Sequence, residues 1–255
     1  MSHSDDIVIQ VRDLRKSYKD LVAVDGISFE VRQGEIFGML GPNGAGKTTT
    51  VEILEGLRDL DSGDAFVGGL DVTKQPTRVK GMIGVQLQQN AFFDNLNLKE
   101  TIDLFATLYG SDMAAEEALE KVELADRAKS QYRHLSGGQK QRLSIAVALI
   151  NTPVAMFLDE PTTGLDPQAR RNMWDLIDGL RSDGMAIMLT THYMEEAEVL
   201  CDRVAVIDHG NIVALDTPQA LVDQLKARGA ESVRRDGALT LEDVFIDLTG
   251  RNLIE

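Results

Sequence analysis

The sequence predicts an α/β fold: a core of mainly parallel strands alternating with helices, and an inserted all-helical subdomain. Three observations carry that prediction. The apolar run Ile36-Phe37-Gly38-Met39-Leu40 leads into Gly41-Pro42-Asn43-Gly44-Ala45-Gly46-Lys47-Thr48 and on into Thr49-Thr50-Val51-Glu52-Ile53-Leu54, which reads as strand, glycine-rich loop and helix. Two more apolar runs, at 154–158 and 185–189, have the unbroken character of strands buried on both faces of a parallel sheet. Between the early strands and these, residues from about 90 to 151 show only helical periodicity.

The glycine-rich loop has a chemical reading. Its glycines let backbone N–H groups turn inward around an anion, Lys47 reaches the β- and γ-phosphates, and the Thr48 hydroxyl ligates Mg²⁺. The helix that follows points its positive end at the same phosphates. The chain is therefore expected to bind a nucleoside triphosphate. Asp159 and Glu160 close the strand at 154–158, and ligands of open α/β sheets bind outside the carboxyl ends of the strands. Alternation along the backbone turns one of these carboxylates toward Mg²⁺ and the next toward an attacking water. His192, after Thr190-Thr191 at the end of the 185–189 strand, falls at the same sheet edge as Lys47 and Glu160, where it can meet a γ-phosphate. A second glycine-rich helix start, Leu135-Ser136-Gly137-Gly138-Gln139, has the make-up of another anion site, although Ser-Gly-Gly is also a common cap. The chain thus has two such helix ends and one lysine-bearing loop.

The remaining elements follow in order. Residues 7–11 and 27–31 alternate as half-buried strands, and between them Tyr18 falls in a polar loop, where an aromatic ring can stack on a purine or simply pack at the surface. Residues 61–64 read as a turn and 65–67 as a short strand. The strand at 82–85 runs into Gln86, Gln88 and Gln89, three glutamines of a kind usually solvated, one of which could hold a metal-bound water. Ala91-Phe92-Phe93 places aromatics where they could line a groove for a partner helix. Leu98, Ile102, Phe105, Leu108 and Tyr109 keep helical spacing, 114–124 is a second, acidic helix, and further helices are expected at 140–150 and 168–181. A hairpin at 203–216 precedes a helix from Pro218 to about 228. Beyond a polar linker, Leu241, Val244, Phe245 and Leu248 form an amphipathic stripe that Thr240 can cap. The expected division is a cassette at 5–228, with its helical subdomain at about 90–151, and a short extension at 229–255.

Composition narrows the partners. The 255 residues carry 26 Lys+Arg against 41 Asp+Glu, a net charge of −15 that argues against nucleic acid or an anionic lipid surface as a direct partner. The single cysteine, Cys201, excludes an internal disulfide. The first six residues have neither the basic nor the apolar region of a signal peptide, so a cytoplasmic location is expected.

Taken together, these motifs resemble the ATP-binding subunits of ABC transporters over about residues 5–250. The resemblance implies a RecA-like P-loop NTPase core that binds ATP and Mg²⁺, with an antiparallel β subdomain beside the inserted α-helical one. Gly41 to Thr48, with Thr49, looks like Walker A, and Leu135 to Gln139 looks like the signature motif. Gln88 looks like the Q-loop glutamine, preferred over Gln86 and Gln89 because the family's glutamine stands twelve residues before an acid such as Glu100. Asp159 looks like the Walker B aspartate, Glu160 the catalytic glutamate, Asp166 the D-loop aspartate, His192 the switch histidine and Tyr18 the adenine-stacking aromatic. Thr48, Gln88 and Asp159 would then be the metal's neighbours. The family also implies a head-to-tail homodimer with ATP between the Lys47 loop of one copy and the Ser136 loop of the other. Residues 163–167, 189–197 and 241–245 are similar to ABC-2-type drug- and antibiotic-exporting ATPases, which implies a separate membrane permease holding this subunit at the inner face of the cell membrane.

Overall fold

The computed structural model describes residues 6–87, 92–230 and 238–250. In chain order its strands are β1 (Ile7–Tyr18), β2 (Leu21–Arg32), β3 (Ile36–Leu40), β4 (Ser62–Val67), β5 (Leu70–Asp71), β6 (Ile83–Gln86), β7 (Ala155–Asp159), β8 (Ala186–Thr191), β9 (Arg203–Asp208) and β10 (Asn211–Asp216). The α-helices are α1 (Lys47–Leu54), α2 (Pro76–Lys80), α3 (Leu98–Tyr109), α4 (Ala115–Lys121), α5 (Gly137–Leu149), α6 (Pro167–Ser182), α7 (Met194–Leu200), α8 (Pro218–Ala227) and α9 (Leu241–Thr249).

The central sheet runs β10-β9-β3-β8-β7-β6, parallel except for the antiparallel edge strand β10. Its inner strands are apolar throughout because both faces are covered, and alternation divides their side chains between two layers. Ile36, Leu40, Met156, Leu158, Ile187 and Leu189 face a core shared with the helices α3 to α9. Phe37, Met39, Ala155, Phe157, Ala186 and Met188 face a second core, shared with α1 and the four-stranded antiparallel sheet β2-β1-β4-β5. The loop at 41–46 and α1 therefore lie on the antiparallel-sheet side, while α5, which opens with the second glycine-rich start, lies on the other.

Several sequence-based expectations change. β1 and β2 are each twelve residues long, so Tyr18 is the last residue of a strand, paired with Leu21, and not part of a loop. The strand hides because its pairing slips between Val11 and Leu14, where Asp13 takes φ 45°, so the period-2 pattern breaks there. Ser62 to Asp64 belong to β4 and not to a turn. The acidic helix is shorter than expected, α4 ending at Lys121, and the apolar stripe of α3 loses Leu108 and Tyr109 to solvent. Gln86 is fully buried, its Nε2 donating to Gln141 Oε1 at 2.9 Å on α5, so it is no solvated surface residue. Phe92 turns inward, edge-on to Phe105 and Tyr132, and leaves Phe93 as the exposed aromatic of that segment.

α9 packs against α7 and α8. Leu241, Val244 and Phe245 are buried in the helical core, the Leu241 N–H donates to Glu198 Oε1, and Arg228 pairs with Asp247 at 3.2 Å. Among the described residues no helix is long and apolar enough to cross a membrane.

Candidate active site

Three strands deliver the chemistry to one edge. The parallel register sets Leu40 beside Thr191 and Asp159 beside Thr190, so the loop after β3, the acids ending β7 and the histidine after β8 emerge at one level. A cavity of about 340 Å³ opens there, lined by Tyr18, Leu21 and Ala23 on one side and by Asn43, Gly44, Gly46, Lys47, Thr48, Thr49, Asp159 and Glu160 on the others.

The loop's shape depends on glycine. Gly46 sits at φ 109° as the N-cap of α1, and a Cβ there would stand 2.3 Å from the carbonyl oxygen of Ala23. No side chain caps α1, which leaves its first N–H groups for a ligand's oxygens. Lys47 is buried, and its Nζ donates to the carbonyls of Gly41 and Pro42, the latter at 3.0 Å. Burial pulls the Lys47 pKa down, while the charges of Glu160 and Asp159 push it back up. The ammonium therefore stands in the field of both acids, at the mouth of the loop.

Asp159 accepts a hydrogen bond from the Thr190 hydroxyl. Glu160 is the first residue past β7 and takes a left-handed φ of 49°, its N–H donating to the Thr190 carbonyl at 3.1 Å. That turn swings the carboxylate toward β8. One oxygen lies 2.9 Å from His192 Nδ1, and the other accepts from the Thr163 hydroxyl at 3.1 Å. A carboxylate fixed from two sides and facing a buried ammonium is suited to holding a water for attack on a phosphoryl group. The Thr48 hydroxyl and Asp159 carboxylate, both lining the cavity, are hard oxygen donors of the kind Mg²⁺ takes, and would be the residues to hold it.

Ser136, Gly137, Gly138 and Gln139 are not among the residues lining this cavity. They open α5 with a capping box, in which the Gln139 N–H donates to Ser136 Oγ at 3.3 Å and Gln139 Oε1 accepts from the Ser136 N–H at 3.0 Å. Asp166 lies outside the cavity as well. It is exposed and caps α6, accepting from the N–H groups of Gln168 and Ala169 at 3.0 and 2.9 Å. Gln88 falls outside the described residues.

Sequence reasoning did not find the roles of four groups around the site. Thr190 carries both Asp159 and the Glu160 backbone, and only the β7–β8 register identifies it. Gln86 braces the end of β6 on α5. Glu196 lies buried behind His192. Glu55, at the far end of α1, is nearly buried and carries a pKa raised to about 8, by burial first and then by the charges of Asp159 and Glu52. In the sequence Thr190, Glu55 and Glu196 are ordinary polar residues in strands and helices with no local signal, and Gln86 stands out only as one of three clustered glutamines.

The family described as ABC transporter matches residues 24–163. A doxorubicin resistance ATP-binding protein, DrrA, of Mycobacterium tuberculosis is 42% identical over 240 residues, which cover 91% of this chain and 72% of that one. The linearmycin resistance ATP-binding protein LnrL of Bacillus subtilis is 40% identical over 223 residues (86% and 72%). A Nod factor export ATP-binding protein of Cupriavidus metallidurans is 40% identical over 249 residues (96% and 82%). Among solved structures, an ATP-binding subunit of an ABC transporter superposes with TM-score 0.79 at 28% identity, covering 95% of this chain and 99% of the other. A dimeric ATP-binding cassette in a post-hydrolysis state bound to ADP and Pi superposes with TM-score 0.72 at 25% identity (82% and 98%).

Proposed function

Because the chain belongs to the ABC transporter family, as an ATP-binding subunit whose ATP hydrolysis powers export through a separate permease, we propose that it works as an ATP-sandwich homodimer on an ABC-2-type permease. Its cargo is a drug, an antibiotic or a lipid-like molecule, in keeping with relatives named for doxorubicin resistance, linearmycin resistance and Nod factor export. The permease holds it at the cytoplasmic face of the membrane.

The observation that carries this reading is the division of two anion-binding helix ends. The Lys47 helix opens into the cavity that also holds Asp159 and Glu160, whereas the Ser136 helix opens elsewhere on the same chain. In this reading one nucleotide engages both ends when two copies meet head to tail. In this assignment Tyr18 stacks on the adenine, and residues 41–49 cradle the phosphates with Lys47 on the β/γ pair. Thr48 and Asp159, with Gln88, hold Mg²⁺, which neutralises phosphate charge. Glu160 orients the attacking water, and His192 steadies Glu160 and contacts the γ-phosphate. Ser136, Gly137, Gly138, Gln139 and Asp166 complete the site from the partner copy. Exposed Leu87 and Phe93 flank the 88–91 segment and offer apolar contact area to a permease helix.

Two subunits of charge −15 repel, with screening over about 8 Å at physiological salt. A bridging nucleotide offsets that repulsion, and hydrolysis removes the bridge. Glu160→Gln should therefore bind ATP, stall, and run as a dimer on gel filtration with ATP. Adding Ser136→Arg should return it to a monomer that still binds ATP. If Ser136→Arg instead destroyed ATP binding by the monomer, both anion sites would serve one chain and the sandwich would fail.

A further inference from the structure

Glu196 has no contact with the nucleotide cavity, yet it is fully buried on α7 and touches both loops that carry the hydrolytic pair. Its Oε1 accepts from Thr162 Oγ1 at 2.7 Å and from Trp174 Nε1 at 3.2 Å. Thr162, itself buried, stands two residues beyond Glu160, and its carbonyl accepts the Leu165 N–H at 3.1 Å, which fixes the loop after β7. On the other side the Thr191 hydroxyl stands close enough to the same carboxyl to help hold its pKa down, while Glu196 Oε2 is buried without a hydrogen-bond partner among the described residues. Thr191 Oγ1 also accepts the Tyr193 N–H at 3.0 Å, so the two residues flanking His192 are tied together. The His192 and Tyr193 rings stand 4.1 Å apart, and the Arg170 guanidinium lies 4.7 Å over Tyr193.

A buried carboxyl is a costly way to fill space. Removing it from water raises its pKa, and only the hydroxyls, the indole and the nearby Arg170 charge pull it back. An apolar side chain of similar volume would pack there at no such cost. What the carboxyl supplies and an apolar group cannot is a hydrogen bond that ties Thr162, two residues beyond Glu160, to the helix that opens two residues after His192, and so spans the 2.9 Å contact between Glu160 and His192.

We propose that Glu196 is a positioning residue for ATP hydrolysis, holding the loops after β7 and β8 at the separation at which Glu160 meets His192. The inference rests on the assignment of Glu160 and His192 to the hydrolytic step. It requires that losing the grip slow turnover without weakening ATP binding, since the phosphate loop belongs to other elements.

The test measures kcat for ATP and, separately, ATP affinity on the full chain. Glu196→Leu should lower kcat at least about tenfold, because small misplacements of reacting groups carry penalties of that order, while the Kd for ATP stays within about threefold. Glu196→Gln, which keeps an acceptor oxygen, should restore kcat to within about threefold of wild type. Thr162→Val should slow turnover and Thr162→Ser should not. Trp174 is the single tryptophan of the chain, so its emission should shift in Glu196→Leu as the indole loses its acceptor. Should Glu196→Leu fail to fold, the Thr162 pair decides alone. Wild-type kcat in Thr162→Val, or kcat and ATP affinity lost in parallel, overturns the proposal. Glu160→Gln is run alongside: if it hydrolyses ATP at the wild-type rate, the assignment of the hydrolytic step falls, whereas a stalled Glu160→Gln beside a fully active Thr162→Val removes Glu196 alone.

Discussion

Two glycines of the phosphate loop do different work, and alanine substitutions should separate them. Gly44 has φ 80° and nothing within 4 Å of the point a methyl carbon would occupy, whereas Gly46 has φ 109° with the Ala23 carbonyl oxygen 2.3 Å from that point. At Gly44 an alanine meets only the left-handed conformational penalty, about 1–2 kcal/mol. At Gly46 it meets that penalty and a collision with the backbone of β2, which is hydrogen-bonded into its sheet and cannot turn aside as a side chain could. Overpacking of this kind adds about 1–3 kcal/mol, for a total of about 2–5 kcal/mol. For a chain of 255 residues each kcal/mol lowers Tm by about 2 °C. Gly44→Ala should then melt about 2–4 °C below wild type and Gly46→Ala about 4–10 °C below it. Melting followed by circular dichroism is the discriminating assay, because a methyl at position 44 enters the nucleotide cavity and disturbs ATP affinity at little cost in stability. If both variants melted together, or Gly44→Ala melted lower, the approach of Ala23 would not be what demands glycine at position 46.

Other outcomes follow from the same geometry. Cross-linking through Phe93 in native membranes should capture a polytopic membrane protein, and Phe93→Asp should lose that capture while keeping ATP turnover; capture of soluble proteins alone counts against the permease reading. Glu55, with its folded pKa raised to about 8, binds a proton more tightly in the folded than in the unfolded chain. The stability it contributes is complete below the ordinary glutamate range and is lost as pH rises through about 8. In metal-free buffer, Glu55→Gln should therefore raise Tm relative to wild type at pH 8.5 and leave it unchanged at pH 4; an equal gain at both would show that packing and not charge sets the difference.

How much of this was legible in the sequence depends on how local its causes are. The β3 strand, its loop and α1 are legible because an apolar run, three glycines and a helix start are adjacent in the chain. β7 and β8 are legible because burial on both faces leaves an unbroken apolar string. Only the first part of β1, at 7–11, is legible, because the bulge around Asp13 breaks the alternation that would identify the rest of the strand. The inward turn of Phe92 depends on Phe105 and Tyr132, which no nearby spacing announces. Glu196 sits in the acidic run Glu195-Glu196, where solvated helix surface is the natural reading, and its burial is set by Trp174 and Thr162, 22 and 34 residues away. Within the site, residues that would touch the nucleotide carry motif signals, whereas those that hold them in place do not.

Glu160 stands in a backbone conformation that ordinary side chains avoid, at about 1–3 kcal/mol for a residue other than glycine. If Glu160 serves hydrolysis as proposed, heat tolerance and turnover pull in opposite directions at this position. A library of variants selected only for survival of heating should drift toward Gly or Asn there, and a designer choosing the amino acid from backbone shape alone would make the same substitution. On the proposed role of Glu160, either route would yield a sturdier protein that still accepts ATP but has lost the group that spends it, so any stabilisation programme on this chain must hold position 160 fixed or score hydrolysis at every round.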